Sequence, residues 1–141
     1  MAKWGLYIGK RSLANFLVAI ESKTWAGREK YQFEIIHKDD YLYFFQEFQF
    51  HDGIEDKQSR PSSANQLIGH FKKIMKVKII SSGHKSKNPM FGHRYPIEFK
   101  FTELMQKDKL ESNSIPYEIL EQIRLSMLLS KPYELSEDWD I

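Results

Sequence analysis

Catalysis needs side chains that converge, and in this sequence the candidates stand apart. The histidines, His37, His51, His70, His84 and His93, are scattered. His84 and His93 share one loop, yet no carboxylate or second pair stands at ligand spacing, so no metal is expected. Asp39 and Asp40 are adjacent, and adjacent side chains diverge in a strand or turn, which makes them poor partners for a two-carboxylate site. No glycine-rich phosphate cradle and no G-x-S-x-G elbow occurs. Cysteine is absent, which excludes disulfides, thiolate metal sites and thiol nucleophiles. Nothing assembles a nucleophile, base and oxyanion donor, so the expectation is a protein with no enzymatic activity, no catalytic residues and no cofactor.

What the residues do supply is recognition. A flipped or single-stranded base is held by stacking on an aromatic plane while hydrogen bonds read its edge. Trp25 offers such a plane, and an amide such as that of Asn15 can donate and accept at a base edge. The backbone around Thr24 and Ala26 can add further bonds, because Gly27 lets the chain approach a ligand closely. Trp25 would serve as well as a core plug between a helix and a sheet. The cations are also unevenly spread. Between His70 and Lys100 stand eight Lys or Arg residues and one acid, Glu98, whereas from Thr102 onward acids lead by nine to four. A basic middle and an acidic end make a dipolar domain, and a basic face suits phosphate. The plainer reading of the same run is a solvated, lysine-rich strand.

These residues must be positioned by about one domain, since the chain has 141 residues. Hydrophobic residues at 41% and charged residues at 28% are an ordinary globular balance, which excludes a disordered chain. The start, MAKWGLYIGK, has no apolar run long enough for a signal peptide, and no window approaches a membrane span. With no cysteine, this points to a cytoplasmic protein.

Trp4–Gly9 reads as a strand, and Ser12 as the cap of a helix whose apolar face is Leu13, Phe16, Leu17 and Ile20. Thr24–Gly27 breaks that helix, and a second short helix is expected over Arg28–Ile36. Tyr41–Phe50, YLYFFQEFQF, is the strongest strand signal. Strict alternation puts Phe44, Gln46, Phe48 and Phe50 on one face and Tyr43, Phe45, Glu47 and Gln49 on the other. His51–Asn65 reads as a loop. Leu67–Ile80 ends in a strand that sets Ile74, Lys76 and Lys78 against Met75, Val77 and Ile79. Ser81–Arg94 reads as a second loop and Tyr95–Leu104 as another alternating strand. Pro116 suits the first turn of a helix, PYEILEQI. Leu125–Leu129 is expected as a last strand, and Ser136–Asp138 as the capped start of a final helix. That helix stops barely one turn in, as expected of a domain cut from a longer protein. The order is mixed α and β, with helices too few for a doubly wound parallel sheet. The fold class expected is α+β, a strongly twisted mixed sheet or small barrel flanked by short helices.

Four local patterns, in order over nearly the whole chain, resemble the EVE domain, a PUA-like relative of the YTH domain. They are Trp25-Ala26-Gly27 after a strand and helix; Asp40–Gln46, DYLYFFQ; Tyr95–Phe101, YPIEFKF; and Arg124–Met127, RLSM, followed by Leu135–Trp139. Asn15 also stands ten residues before Trp25, the offset at which YTH domains carry a pocket asparagine. Further cage tryptophans of the YTH domain have no clear match, and the loop from His51 to Asn65 is longer than the family pattern.

The resemblance implies one PUA-like domain over residues 1–141. It would be a non-catalytic reader of a modified base in DNA, N6-methyladenine or a 5-modified cytosine, flipped into an aromatic pocket. The pocket residues it implies are Trp25, Asn15, Ala26, Thr24, Phe45, Tyr43 and Ser126. Phe45 and Tyr43 are core residues by default, and Ser126 a plain strand serine. Phosphate would be held by Lys10, Arg11, Arg28, Lys85, Lys87 and Arg94. Partners would be nucleic acid, DNA before RNA, and a fused or associated motor or nuclease domain of a restriction system. A reader of modified RNA is the nearest alternative. A PUA-like enzyme of RNA processing is a more distant one, and a protein-binding adaptor would need an exposed apolar patch.

Overall fold

The computed structural model describes residues 1–27, 35–51, 61–85, 97–136 and 139, with only the backbone path at 26, 27, 82–85, 97 and 98. Six strands form one mixed sheet, as the α+β expectation requires. They are β1 (Lys3–Ile8), β2 (Thr24–Gly27), β3 (Tyr41–Phe50), β4 (Gly69–Lys85), β5 (Ile97–Glu111) and β6 (Tyr133–Glu134), in the order β2-β5-β4-β3-β1-β6. β1 and β3 are parallel, and every other pairing is antiparallel. Among the described residues two helices, α1 (Leu13–Ser22) and α2 (Tyr117–Leu129), cover the two faces.

Because both faces are covered, the middle of β3 is buried on both sides, which is why its sequence is a near-continuous apolar run. Leu42 and Phe44 join Phe16 of α1, Met75, Val77, Ile79, Phe99 and Phe101 in one core. Tyr43 and Phe45 join Phe71, Ile74 and Ile119, Leu120 and Ile123 of α2 in the other. Strict alternation fails beyond Gln46. Glu47 takes a left-handed φ of 43°, and its carboxylate meets Lys72 on β4 at 2.7 Å. Both strands change phase there, so Phe48, Phe50 and Phe71 lie on the face of Phe45, not that of Phe44. The amide of Phe48, beyond the last pairing of β1 with β3, donates to the Tyr7 hydroxyl at 3.0 Å.

Other boundaries differ from expectation for physical reasons. Thr24–Gly27 does break the helix, yet it forms edge strand β2, because β5 offers it Ile97–Lys100 as a pairing partner. β4 runs on through Ser81–Lys85, part of the expected loop, with a register shift between Ser81 and His84. β5 is longer than Tyr95–Leu104 and reaches Glu111. Leu125–Leu129 is helical rather than a strand: α2 starts after Pro116, and its buried spacing, Ile119, Leu120, Ile123 and Ser126, continues through that segment. On α1 the buried residues are Phe16 and Ala19, with Leu17 facing solvent. The helix expected over Arg28–Ile36 lies outside the described residues except for its end, where Ile36 is buried in the α1-side core. Glu137 and Asp138 of the expected final helix also lie outside them.

Asp40 ties the N-terminus to this frame. Its Oδ1 accepts the Ala2 amide at 3.0 Å, and its Oδ2 accepts the Trp4 indole N–H at 3.1 Å and the His37 amide at 2.9 Å. No helix among the described residues is long and apolar enough to cross a membrane.

Candidate nucleic-acid interface

Trp25 is placed by the shortest possible connection. α1 ends at Ser22, and Lys23 adopts a left-handed φ of 54° with its amide bonded to the Ala19 and Ile20 carbonyls. That single residue turns the chain into β2, where Trp25 pairs with Phe99. The Trp25 ring lies 5.7 Å from Phe44 at 56°, and Phe44 in turn meets Phe16 at 5.0 Å and Phe101 at 5.9 Å. Trp25 is thus half-buried, resting on the α1-side core while part of it remains open to solvent. Asn15 is exposed on α1, next to buried Phe16. The Thr24 hydroxyl donates to the Ser22 carbonyl at 3.2 Å, and Ala26 pairs with Glu98 at the sheet edge.

The sheet separates the remaining aromatic candidates from Trp25. Tyr43 and Phe45 are fully buried on the α2 side, where Trp139 lies against both, stacked on Phe45 at 6.1 Å and 19°. Ser126, also buried, accepts the Tyr7 amide at 2.9 Å and donates to the Lys131 carbonyl at 2.7 Å. Its hydroxyl serves the edge of β1 beyond the pairing with β6. The structure therefore brings Asn15, Thr24, Trp25 and Ala26 to the α1 side of the sheet and its β2 edge, and leaves Tyr43, Phe45 and Ser126 inside the opposite core.

The cations fall into two groups. Lys10 and Arg11 are exposed in the turn before α1. Lys85 ends β4, and the register Gly27–Ile97–Lys85 brings the ends of β2, β5 and β4 together. Arg28, Lys87 and Arg94 lie outside the described residues; along the sequence they stand one, two and three residues from Gly27, Lys85 and Ile97. Several lysines of β4 have partners within the domain: Lys72 meets Glu47, Lys78 stands 3.8 Å from Asp39, and Lys76 lies over the Tyr41 ring at 4.8 Å.

Two features went unnoticed in the sequence. Gln46 is buried, and its Nε2 has no hydrogen-bond partner among the described residues. It sits on β3 two residues from Phe44, at a position alternation assigns to the same face, so an unused donor lies in the sheet whose core supports Trp25. The second is a meeting of His51, His70 and Glu111, whose ligand atoms all lie within 4.8 Å of one another. His51 Nε2 is 3.3 Å from Glu111 Oε2, and that hydrogen bond, with the charge of Lys109, holds the Glu111 carboxyl below its ordinary range. The only early sign of it would have been strand register, since His70 pairs directly with Glu111.

These elements define the class of molecule: an α+β domain whose curled six-stranded mixed sheet carries a half-exposed tryptophan at one edge. No family model and no curated protein matches the chain. Among solved structures it is similar to the crystal structure of the Toxoplasma CPSF4-YTH domain in apo form, at 14% identity and a TM-score of 0.41. That likeness covers 78% of this chain, and this chain spans 62% of that one.

Proposed function

We propose that this domain is a PUA-like, non-catalytic reader of a modified base in nucleic acid, with the base flipped out and stacked on Trp25. The observation that carries the reading is the position of Trp25. Its indole is half-exposed on a short edge strand, beside strand ends whose flanking sequence holds Arg28, Lys85, Lys87 and Arg94. Stacking on such a plane is worth about 1–3 kcal/mol per base. Asn15 and the backbone of Thr24 and Ala26 supply donors and acceptors for the base edge, and Lys10, Arg11 and the strand-end cations take phosphates. DNA bearing N6-methyladenine or a 5-modified cytosine is the substrate class, and a motor or nuclease domain of a restriction system is the partner. These finer assignments rest on the resemblance of the quoted motifs to EVE and YTH domains.

The test is a binding screen against duplexes that differ in one modified base, with RNA of the same sequence in parallel. The expected result is selective binding to a modified duplex that weakens steeply with salt, and a similar loss across all sequences for Lys85→Ala or Arg94→Ala. Trp25→Ala should abolish most discrimination between modified and unmodified base. Binding insensitive to salt, or selectivity unchanged in Trp25→Ala, overturns the proposal; tighter binding of the RNA moves the reader to that substrate.

A further inference from the structure

We infer that His51, His70 and Glu111 form a divalent metal site of the zinc type that clasps the ends of β3, β4 and β5. The three residues come from segments far apart in sequence and meet through register. His70 on β4 stands directly opposite Glu111 on β5, and it also pairs with Gln49, two residues before His51. The His51 amide continues the ladder past the end of β3 by donating to the Ile68 carbonyl at 3.1 Å. Their ligand atoms all fall within 4.8 Å of one another.

The geometry fits a small ion. Zinc binds imidazole nitrogen and carboxylate oxygen at about 2.0–2.1 Å in a tetrahedron, so neighbouring ligand atoms are about 3.3–3.4 Å apart. His51 Nε2 and Glu111 Oε2 already stand at 3.3 Å. The remaining edges lie within 4.8 Å and must shorten to that distance when the ion binds. The donor set also selects the ion. Two imidazoles and one carboxylate suit zinc and its transition-metal neighbours, whereas calcium and magnesium prefer all-oxygen sites. Three protein ligands leave a fourth position for water.

The supporting backbone is stiff. A Cβ at Gly69 would lie 1.9 Å from the Gln49 carbonyl oxygen, so only glycine fits against the neighbouring strand beside His70. The Gly69 amide donates to Ser112 Oγ at 3.1 Å, and Ser114 Oγ donates to the Glu111 carbonyl at 2.7 Å. Lys109 Nζ, 3.7 Å from Glu111, approaches Oε1 and leaves Oε2 to the histidine and the ion. As a simple surface ion pair the His51–Glu111 contact would contribute little. The inference is independent of the nucleic-acid reading, because the site lies at the strand ends away from Trp25.

Calorimetric titration of the full chain with zinc chloride alone tests it. The expected result is one ion per chain, with affinity lowered at least about tenfold in each of His51→Ala, His70→Ala and Glu111→Gln, the lower end of what outer-shell changes alone cause. His37→Ala, a histidine elsewhere on the surface, should bind as the parent does. Zinc should also raise the melting temperature of the parent chain and not that of His70→Ala, with all variants melting alike in chelator. No stoichiometric binding, or parent-like binding in His51→Ala and His70→Ala, overturns the inference.

Discussion

Both faces of the sheet are aromatic, and rings on each differ in how completely they are sealed. On the α2 side, Tyr43, Phe45 and Phe71 are sealed beneath Ile119, Leu120 and Ile123, with Trp139 against Phe45. On the α1 side, Phe16, Phe44 and Phe101 form a similar cluster, but its outermost ring, Trp25, is half-exposed at the sheet edge. An aromatic locked in close-packed surroundings on all sides serves stability. One that rests on a core with part of its surface in water can exchange solvent for a flat ligand. The contrast in burial says which aromatic to test for binding: Trp25, and not Phe45.

Truncation breaks the comparison most sharply. Phe45→Ala should cost about 3–5 kcal/mol of stability, the usual range for emptying a sealed aromatic site. Trp25→Ala should cost distinctly less, because part of its ring is already solvated. Urea unfolding of the two variants side by side decides this. Equal losses would mean that Trp25 is as much a core residue as Phe45. A comparable loss, about 2–4 kcal/mol, is expected of Asp40→Ala, which strands three N–H donors, among them the buried indole of Trp4. Thermal melting checks it, and a parent-like melting temperature would contradict the role given to that carboxylate.

A smaller effect sharpens the same contrast. Gln46 buries an amide nitrogen that lacks a partner among the described residues. Gln46→Met removes that group at similar volume, so stability should rise by roughly 1 kcal/mol. If the amide is kept as a reader of a base edge, the stabilised variant should bind a modified duplex less selectively. Unfolding and binding measured on one preparation separate the outcomes, and a stabilised variant with undiminished selectivity would confine Gln46 to the core.

The mixed order of elements and the main strands were legible because alternation and aromatic content are local properties. Tyr41–Phe50 declared itself as a strand, and Met75, Val77 and Ile79 showed their common face. What stayed hidden is set by pairing. Nothing in the residue type of Glu47 signals a left-handed φ, yet it moves Phe48 and Phe50 to the other face. The segment Leu125–Leu129 is apolar enough for a strand, and only its place in the register of α2 makes it helical and turns Ser126 toward Tyr7. Tyr43 and Phe45 were pocket candidates only through the family resemblance; residue type made them core by default, and both are fully buried. His51, His70 and Glu111 looked scattered because the spacing that joins them runs across strands.

The smallest expected effect concerns the seam that fastens residues 61–64 to α2. Arg124 donates from Nε to Glu121 Oε1 at 2.8 Å and from Nη1 to the Pro61 carbonyl at 3.0 Å, while Nη2 also closes on Oε1. Glu121 Oε2 accepts the Ala64 amide at 2.9 Å. The hydrogen bond from Arg124, helped by that amide and by the guanidinium charge, holds the Glu121 carboxyl below its ordinary value of 4.5, against the opposing pull of burial. A carboxyl depressed in the folded state stabilises the fold above its unfolded pKa, and the contribution is lost as pH falls through the folded value. Glu121→Gln keeps an acceptor for Ala64 and removes the charge. At neutral pH it should therefore cost no more than about 1 kcal/mol, as expected of a pair still partly open to water. Below pH 4.5 the difference from the parent should shrink, and it should vanish once Glu121 is protonated in the folded as well as the unfolded parent. Urea unfolding of both proteins across that range reads it directly. A difference that persists in acid would assign the stabilisation to the shape of the side chain rather than to its charge.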